Sequence, residues 1–242
     1  MKNSLYLLLC ILGCGILLVS CKDDDENSPT PVDATLEVQM RVGSETFTQG
    51  STYDINGTKM KIDVAQFYIG NIELDGDEDY EIEDYFIGGK SGNFALGSVL
   101  PGEYDFEFGV GVEAEINNQS NDDFTTRPAG DPLGMVEPSM NWNWNSGYKF
   151  LRIDGVVDAD GDDIPETAVQ YHLGSDAYYA LLTAPDKINL DADNTKITMR
   201  FDIAGLFTGL DLSGGESTHV GDNKDLADSL LANYPAAFSI LF

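Results

Sequence analysis

The sequence predicts an all-β protein, an antiparallel immunoglobulin-like β-sandwich with one short C-terminal helix and long loops. Three observations carry that expectation. Apolar and polar residues alternate at a period of two from residue 35 onward, the spacing that sends successive side chains to opposite faces of a strand. Gly, Asp, Asn and Pro separate the alternating runs, as turn chemistry requires. A helical period appears in one place, "NKDLADSLLANY" (223–234).

Leu36, Val38, Met40 and Val42 alternate with Glu37, Gln39 and Arg41 in the first expected strand. Shorter candidates lie at 60–69 and 80–87. Tyr104, Phe106, Phe108 and Val110 then alternate with Asp105, Glu107 and Gly109. Further runs at 148–157, 166–172 and 178–184 precede Ile197, Met199, Phe201 and Ile203, and Phe238, Ile240 and Phe242 repeat the pattern. In the helical stretch, Leu226, Leu230 and Tyr234 are spaced by four with Leu231 beside them, and Asp222 or Asn223 is the expected N-cap. Two segments, 113–138 and 204–222, lack any period. Long loops of this kind are usually functional or disordered.

The chain divides into a lipoprotein signal peptide (1–20), a lipidated flexible acidic tether (21–33) and one sandwich domain (34–242). Lys2 precedes the apolar run "SLYLLLCILGCGILLV", which falls short of the about 20 residues that span a bilayer. Leu18-Val19-Ser20-Cys21 resembles a bacterial lipobox, which implies cleavage before Cys21 and a membrane anchor on that residue. An ordinary secreted protein with an incidental Cys21 is the plain alternative. Cys10 and Cys14 leave with the signal, so the folded part is expected to hold no disulfide and no thiolate site. Lys22-Asp23-Asp24-Asp25-Glu26 resembles the tag that exports lipoproteins of the Bacteroidota to the outer face of the outer membrane. The alternative is a spacer on a periplasm-facing lipoprotein. Thirteen Lys and Arg against 42 Asp and Glu give a formal charge of −29. Phosphate binding needs basic clusters, so nucleic acid is excluded as a partner class and cations are favoured.

The two tryptophans of the chain stand two apart in "SMNWNWNSGYKF" (139–150), with Asn141, Asn143 and Asn145 between and around them. On a strand that spacing puts Trp142 and Trp144 on one face and the amides on the other. A stacked core contact, a platform for sugar rings and a site of chemistry all fit this pattern. His172 and His219 are the two histidines, and ordinary hydrogen-bonded side chains are their plain reading.

The element Met140-x-Trp142-x-Trp144-x-x-Gly147-Tyr148, running into a strand with Asp154-Gly155, resembles the MbnP family of copper-binding proteins first associated with methanobactin operons. "DVAQFYIGNIEL", "VLPGEYDFEFGVGV", "VQYHLG" and "STHVGDNKDLADSLLANYPAAFSI" are similar to further landmarks of that family, so the likeness spans about 35–242. The resemblance implies copper held largely by histidines, here His172 and His219. It also implies that Trp142 or Trp144, beside Tyr148, is oxidised to kynurenine by a partner di-haem enzyme of the MbnH type. One departure stands out: the family's further histidine would fall near the first strand, where this chain has Met40 and Arg41 in "VQMRVG".

A second constellation is "DADGDDIPE" (158–166). Asp158, Asp160 and Asp162, closed by Glu166, have the 1-3-5 spacing by which a wrapped backbone converges oxygens on Ca²⁺. The stretch resembles the calcium repeats of surface proteins, with Asp163 in place of a glycine, and an acidic hairpin tip is its plain reading. A calcium-stabilised, non-catalytic surface binding or adhesion module is therefore the alternative to a copper protein. The chain has no Ser-His-Asp motif, no Gly-rich phosphate loop and no HExxH, so no enzymatic activity is expected.

Overall fold

The computed structural model describes residues 29–89, 92–142 and 147–241. The expected signal peptide, the lipidation site Cys21 and Trp144 lie outside the described residues. Within them the chain forms β1 (Val32–Val42), β2 (Glu45–Thr46), β3 (Thr52–Ile55), β4 (Thr58–Asp75), β5 (Tyr80–Ile82), β6 (Phe86–Gly88) and β7 (Asn93–Val99). There follow β8 (Gly102–Val110), α1 (Ala114–Asn117), α2 (Asn121–Thr126), β9 (Leu151–Val157), β10 (Thr167–Leu173), β11 (Ala180–Thr183) and β12 (Ile188–Leu190). The last elements are β13 (Lys196–Asp202), α3 (Ile203–Leu206), α4 (Lys224–Ala232), α5 (Tyr234–Ala237) and β14 (Phe238–Leu241).

The strands make an all-β sandwich of two sheets. One runs β14-β13-β1-β2 with β7 also on β1; the other runs β10-β9-β4-β8-β11, with β3, β5 and β6 on β4 and β12 on β8. Alternation on β13 turns Ile197, Met199 and Phe201 inward, as expected from the sequence. Phe67 of β4 meets Phe201 of β13 and Phe238 of β14 at centroid distances of 4.7 and 4.9 Å, which joins the two sheets. Phe201 and Phe238 lie 4.6 Å apart, and all three rings are buried. Rings of this size each stabilise a core by about 3–5 kcal/mol relative to alanine.

Pairing is antiparallel except between β1 and β13, which run parallel with Leu36 opposite Ile197 and Val38 opposite Met199. A period of two identifies the inward face of a strand and carries no information about its direction. A parallel pair also needs a crossover rather than a hairpin, and here most of the chain supplies it.

The helix content corrects the expectation of a single helix. Helix α4 stands where the period placed it, with Asn223 accepting from the Leu226 N–H as its cap. Four further helices are short, and four to six residues are too few to show a 3.6 period. The segment 113–138 contains α1 and α2, the latter opened by a Ser120–Asp123 capping box. Ile203, expected at the end of a strand, is instead the first residue of α3, where Asp202 accepts from the Ala204 N–H.

Strand β4 reaches six residues beyond its expected end. From Ala65 to Gly70 every residue is buried, because the strand is covered on both faces and alternation fails there. The 113–138 segment is the outer cover: Tyr68 donates to the Pro132 carbonyl at 2.8 Å, and Tyr148 donates to the Leu133 carbonyl at 2.8 Å. The two rings meet edge to face at 5.4 Å.

Candidate metal centre

The centre sits on the edge strand β10 and the strand beside it. Register places Gln170 opposite Asp154 and His172 opposite Arg152. Residues two apart share a face, so all four polar side chains emerge together. Asp154 is the hub. Its Oδ1 lies 2.5 Å from His172 Nε2, and its Oδ2 accepts from Arg152 Nε at 2.7 Å. Burial works against ionisation of Asp154, but the His172 and Arg152 hydrogen bonds outweigh it and hold the carboxyl below its usual range.

His172 is 4% exposed, and its Nδ1 has no hydrogen-bond partner. Burial lowers its pKa below the ordinary histidine value; Asp154 opposes this, while His219 and Lys149 add to it.

His219 reaches this face from the second irregular segment, which the backbone stitches to β10. His172 N–H donates to the Thr218 carbonyl at 2.9 Å, and Thr218 N–H donates to the Gln170 carbonyl at 2.8 Å. The two imidazole centroids end 4.9 Å apart at 85°. His219 Nδ1 lies 2.9 Å from Asp222 Oδ2, and its Nε2 lies 3.1 Å from Gln170 Oε1.

Trp142 reaches His172 from a short two-stranded bridge. Asn141 bridges Tyr148, the Trp142 N–H donates to the Gly147 carbonyl, and Lys149 N–H donates to Met140. Gly147 adopts φ 101°, and a Cβ there would meet Asn117 Oδ1 at 2.7 Å, so both the turn and the packing require glycine. The Trp142 ring lies 6.1 Å from His172 and 5.4 Å from the Lys149 ammonium. That ammonium donates to the carbonyls of Ser139 and Asn141. Tyr148, grouped with the tryptophans in the sequence, has its ring in the core between Tyr68 and Phe124.

Of the residues singled out in the sequence, the fold thus brings together His172, His219 and Trp142. Met40 packs against the core from β1, in the other sheet. Arg152, Lys149 and Gln170 did not stand out in the sequence; Asp222 did so only as a candidate helix cap, and Asp154 only as a landmark of the resemblance. Polar residues at alternate positions of two strands were the available signal, and only the register shows that they face one another.

The second constellation is separate, in the β9–β10 turn. Asp158, Asp160 and Asp162 each offer a carboxylate oxygen within 4.8 Å of the others, and among the described residues they are the one such group of three. Asp158 is buried, which opposes ionisation, yet the N–H groups of Gly161, Asp163 and Asp162 keep its carboxyl below the usual range. Glu166, at the exposed end of the turn, is raised by desolvation and then by repulsion from Asp160, Asp162 and Asp158. Asp163, in place of the expected glycine, still takes φ 69°.

Fold and centre define a two-sheet sandwich that carries a histidine pair, one ring buried and the other partly exposed, beside an indole at the edge of a sheet. The family model described as MbnP matches residues 31–223, and the chain belongs to that family. Among solved structures, MbnP from Methylosinus trichosporium is similar in fold, with a TM-score of 0.51, 15% sequence identity, and coverage of 76% of this chain and 80% of that one. No curated protein matches the sequence.

Proposed function

We propose that this protein binds copper through His172 and His219 as a lipid-anchored member of its family. Its role is binding or acquisition rather than catalysis. The observation that supports this reading is the buried, unpartnered Nδ1 of His172 with a second imidazole 4.9 Å away. At imidazole–metal bonds of about 2.0–2.1 Å, each ring centroid sits roughly 3.2 Å from the ion. The observed separation is inside the roughly 6.4 Å that one ion could bridge on that arithmetic. Imidazole nitrogen suits copper, and a buried lone pair without a donor calls for a ligand of this kind. Trp142 or Trp144 is the residue that a partner di-haem enzyme of the MbnH type oxidises to kynurenine: dioxygen or peroxide supplies the oxygen that opens the indole to the N-formyl derivative, and hydrolysis releases the lost carbon as formate. Cys21 anchors the chain to the outer membrane, facing the cell exterior.

Copper titration of the protein tests the reading. Stoichiometric tight binding is expected, and it should be lost in both His172→Ala and His219→Ala. No binding by the wild-type chain at micromolar copper refutes it. Peptide mapping of protein from its own host would find the small mass gain of kynurenine on one tryptophan.

The convergence of Asp158, Asp160 and Asp162 favours a second reading, a surface binding module stabilised by Ca²⁺. A ligand that binds the folded state alone raises the melting temperature in proportion to its occupancy. That module would melt higher in Ca²⁺, lose the shift in Asp160→Ala and ignore copper. Indifference to both Ca²⁺ and chelators removes this reading.

A further inference from the structure

Each imidazole has two nitrogens, and the hydrogen bonds around His172 decide which one faces the ion. An ionised carboxylate accepts and never donates. An imidazole that ligates a metal carries a single proton, and with Asp154 Oδ1 2.5 Å from Nε2 that proton sits on Nε2. The lone pair then belongs to Nδ1, the atom that is buried without a partner. Asp154 has little freedom to turn away, because its other oxygen is held by Arg152. Arg152 is itself tied to the Ser139 carbonyl at 2.7 Å.

We infer that Asp154 is a positioning residue that selects Nδ1 of His172 as the metal-facing atom. The inference rests on the copper reading for its purpose but not for its geometry. His219 carries the complementary arrangement. Asp222 takes the proton on Nδ1 and leaves Nε2 against the Gln170 side chain, an amide that can rotate away when an ion arrives. One ring thus ligates through Nδ1 and the other through Nε2. A carboxylate on the far nitrogen also raises the basicity of the ligating one, and loss of such a partner typically lowers metal affinity about ten- to hundredfold.

The substitution Asp154→Asn isolates this role. Arg152 still demands an oxygen, so the Asn amide nitrogen turns to His172 and donates to Nε2. The proton must then move to Nδ1, which blocks the ligating position. Long-range proton–nitrogen NMR of the metal-free full chain at neutral pH reads the tautomer directly. We expect Nε2–H in the wild type and Nδ1–H in Asp154→Asn. Competition with a copper(I) chelator should show an affinity loss of about ten- to hundredfold in that variant. Asp154→Ala, which only removes the acceptor, should leave mixed tautomers and an intermediate loss. An Nδ1–H or doubly protonated His172 in the wild type overturns the inference, and so does unchanged copper affinity in Asp154→Asn. A wild-type chain that binds no copper defeats the proposed function, while the tautomer still decides this assignment.

Discussion

Lys149 is a cation placed where water cannot reach it well, between two carbonyls and the face of Trp142. Burial pushes its ammonium down to about 8, with Arg152 adding to the shift and Asp154 opposing it. An unfolded lysine titrates near 10.4. Below pH 8 both states are protonated, and the folded state bears the full cost of the buried charge. As pH rises from 8 toward 10.4 the folded state releases its proton first, so the unfolded state binds more protons and stability increases. The urea midpoint of the metal-free protein should therefore be higher at pH 9 than at pH 7.5, and Lys149→Met should show no rise. Equal midpoints for the wild type would contradict this. At this scale His172, His219 and Trp142 were legible because rare residues and a short motif advertise themselves. Lys149 looks like an ordinary surface charge and only burial distinguishes it, while Asp154, a landmark of the resemblance, shows its role only through its bonds to His172 and Arg152.

The hairpin of Met140–Asn141–Trp142 and Tyr148–Lys149 is held to the sandwich by close backbone approach rather than by its own length. Gly174, just past β10, has the Tyr148 carbonyl where a Cβ would stand, at 2.1 Å, and Trp142 Cζ2 at 3.0 Å. Asn117 of α1 completes the dock: it accepts from the Tyr148 N–H at 2.9 Å and donates to Asp176 at 2.8 Å. The Gly174→Ala substitution forces strand and hairpin apart. It should cost about 1–3 kcal/mol, as overpacking does. For a domain of this size that lowers the melting temperature by about 2–4 °C per kcal/mol. A melting temperature within error of wild type would show that the contact relaxes freely. The same contacts explain what pattern reading missed at this scale. Strand β4 loses its alternation because the 113–138 segment covers its outer face, and that cover exists only after folding.

Across the whole molecule, an excess of acidic groups works against compaction. The formal charge is −29, and several of the described ion pairs join two exposed side chains, which stabilise little. Salt should therefore stabilise this protein. Going from about 0.01 M to about 1 M NaCl shortens the screening length from about 30 Å to about 3 Å, and the melting temperature should rise. A fall would mean that attractive pairs dominate repulsion. The sandwich itself was determined by the sequence alone, since period-two alternation and turn residues are local properties that any strand carries with it. So were α4 and the family landmarks around Trp142. The parallel join of β1 to β13, the meeting of His172 with His219, and the hold of Asp154 on Nε2 were decided by tertiary structure alone. Each depends on register between separate segments, neighbouring strands for Asp154 and His172 and distant ones for the other two, and register is set by the packing of the core rather than by any residue's own preference.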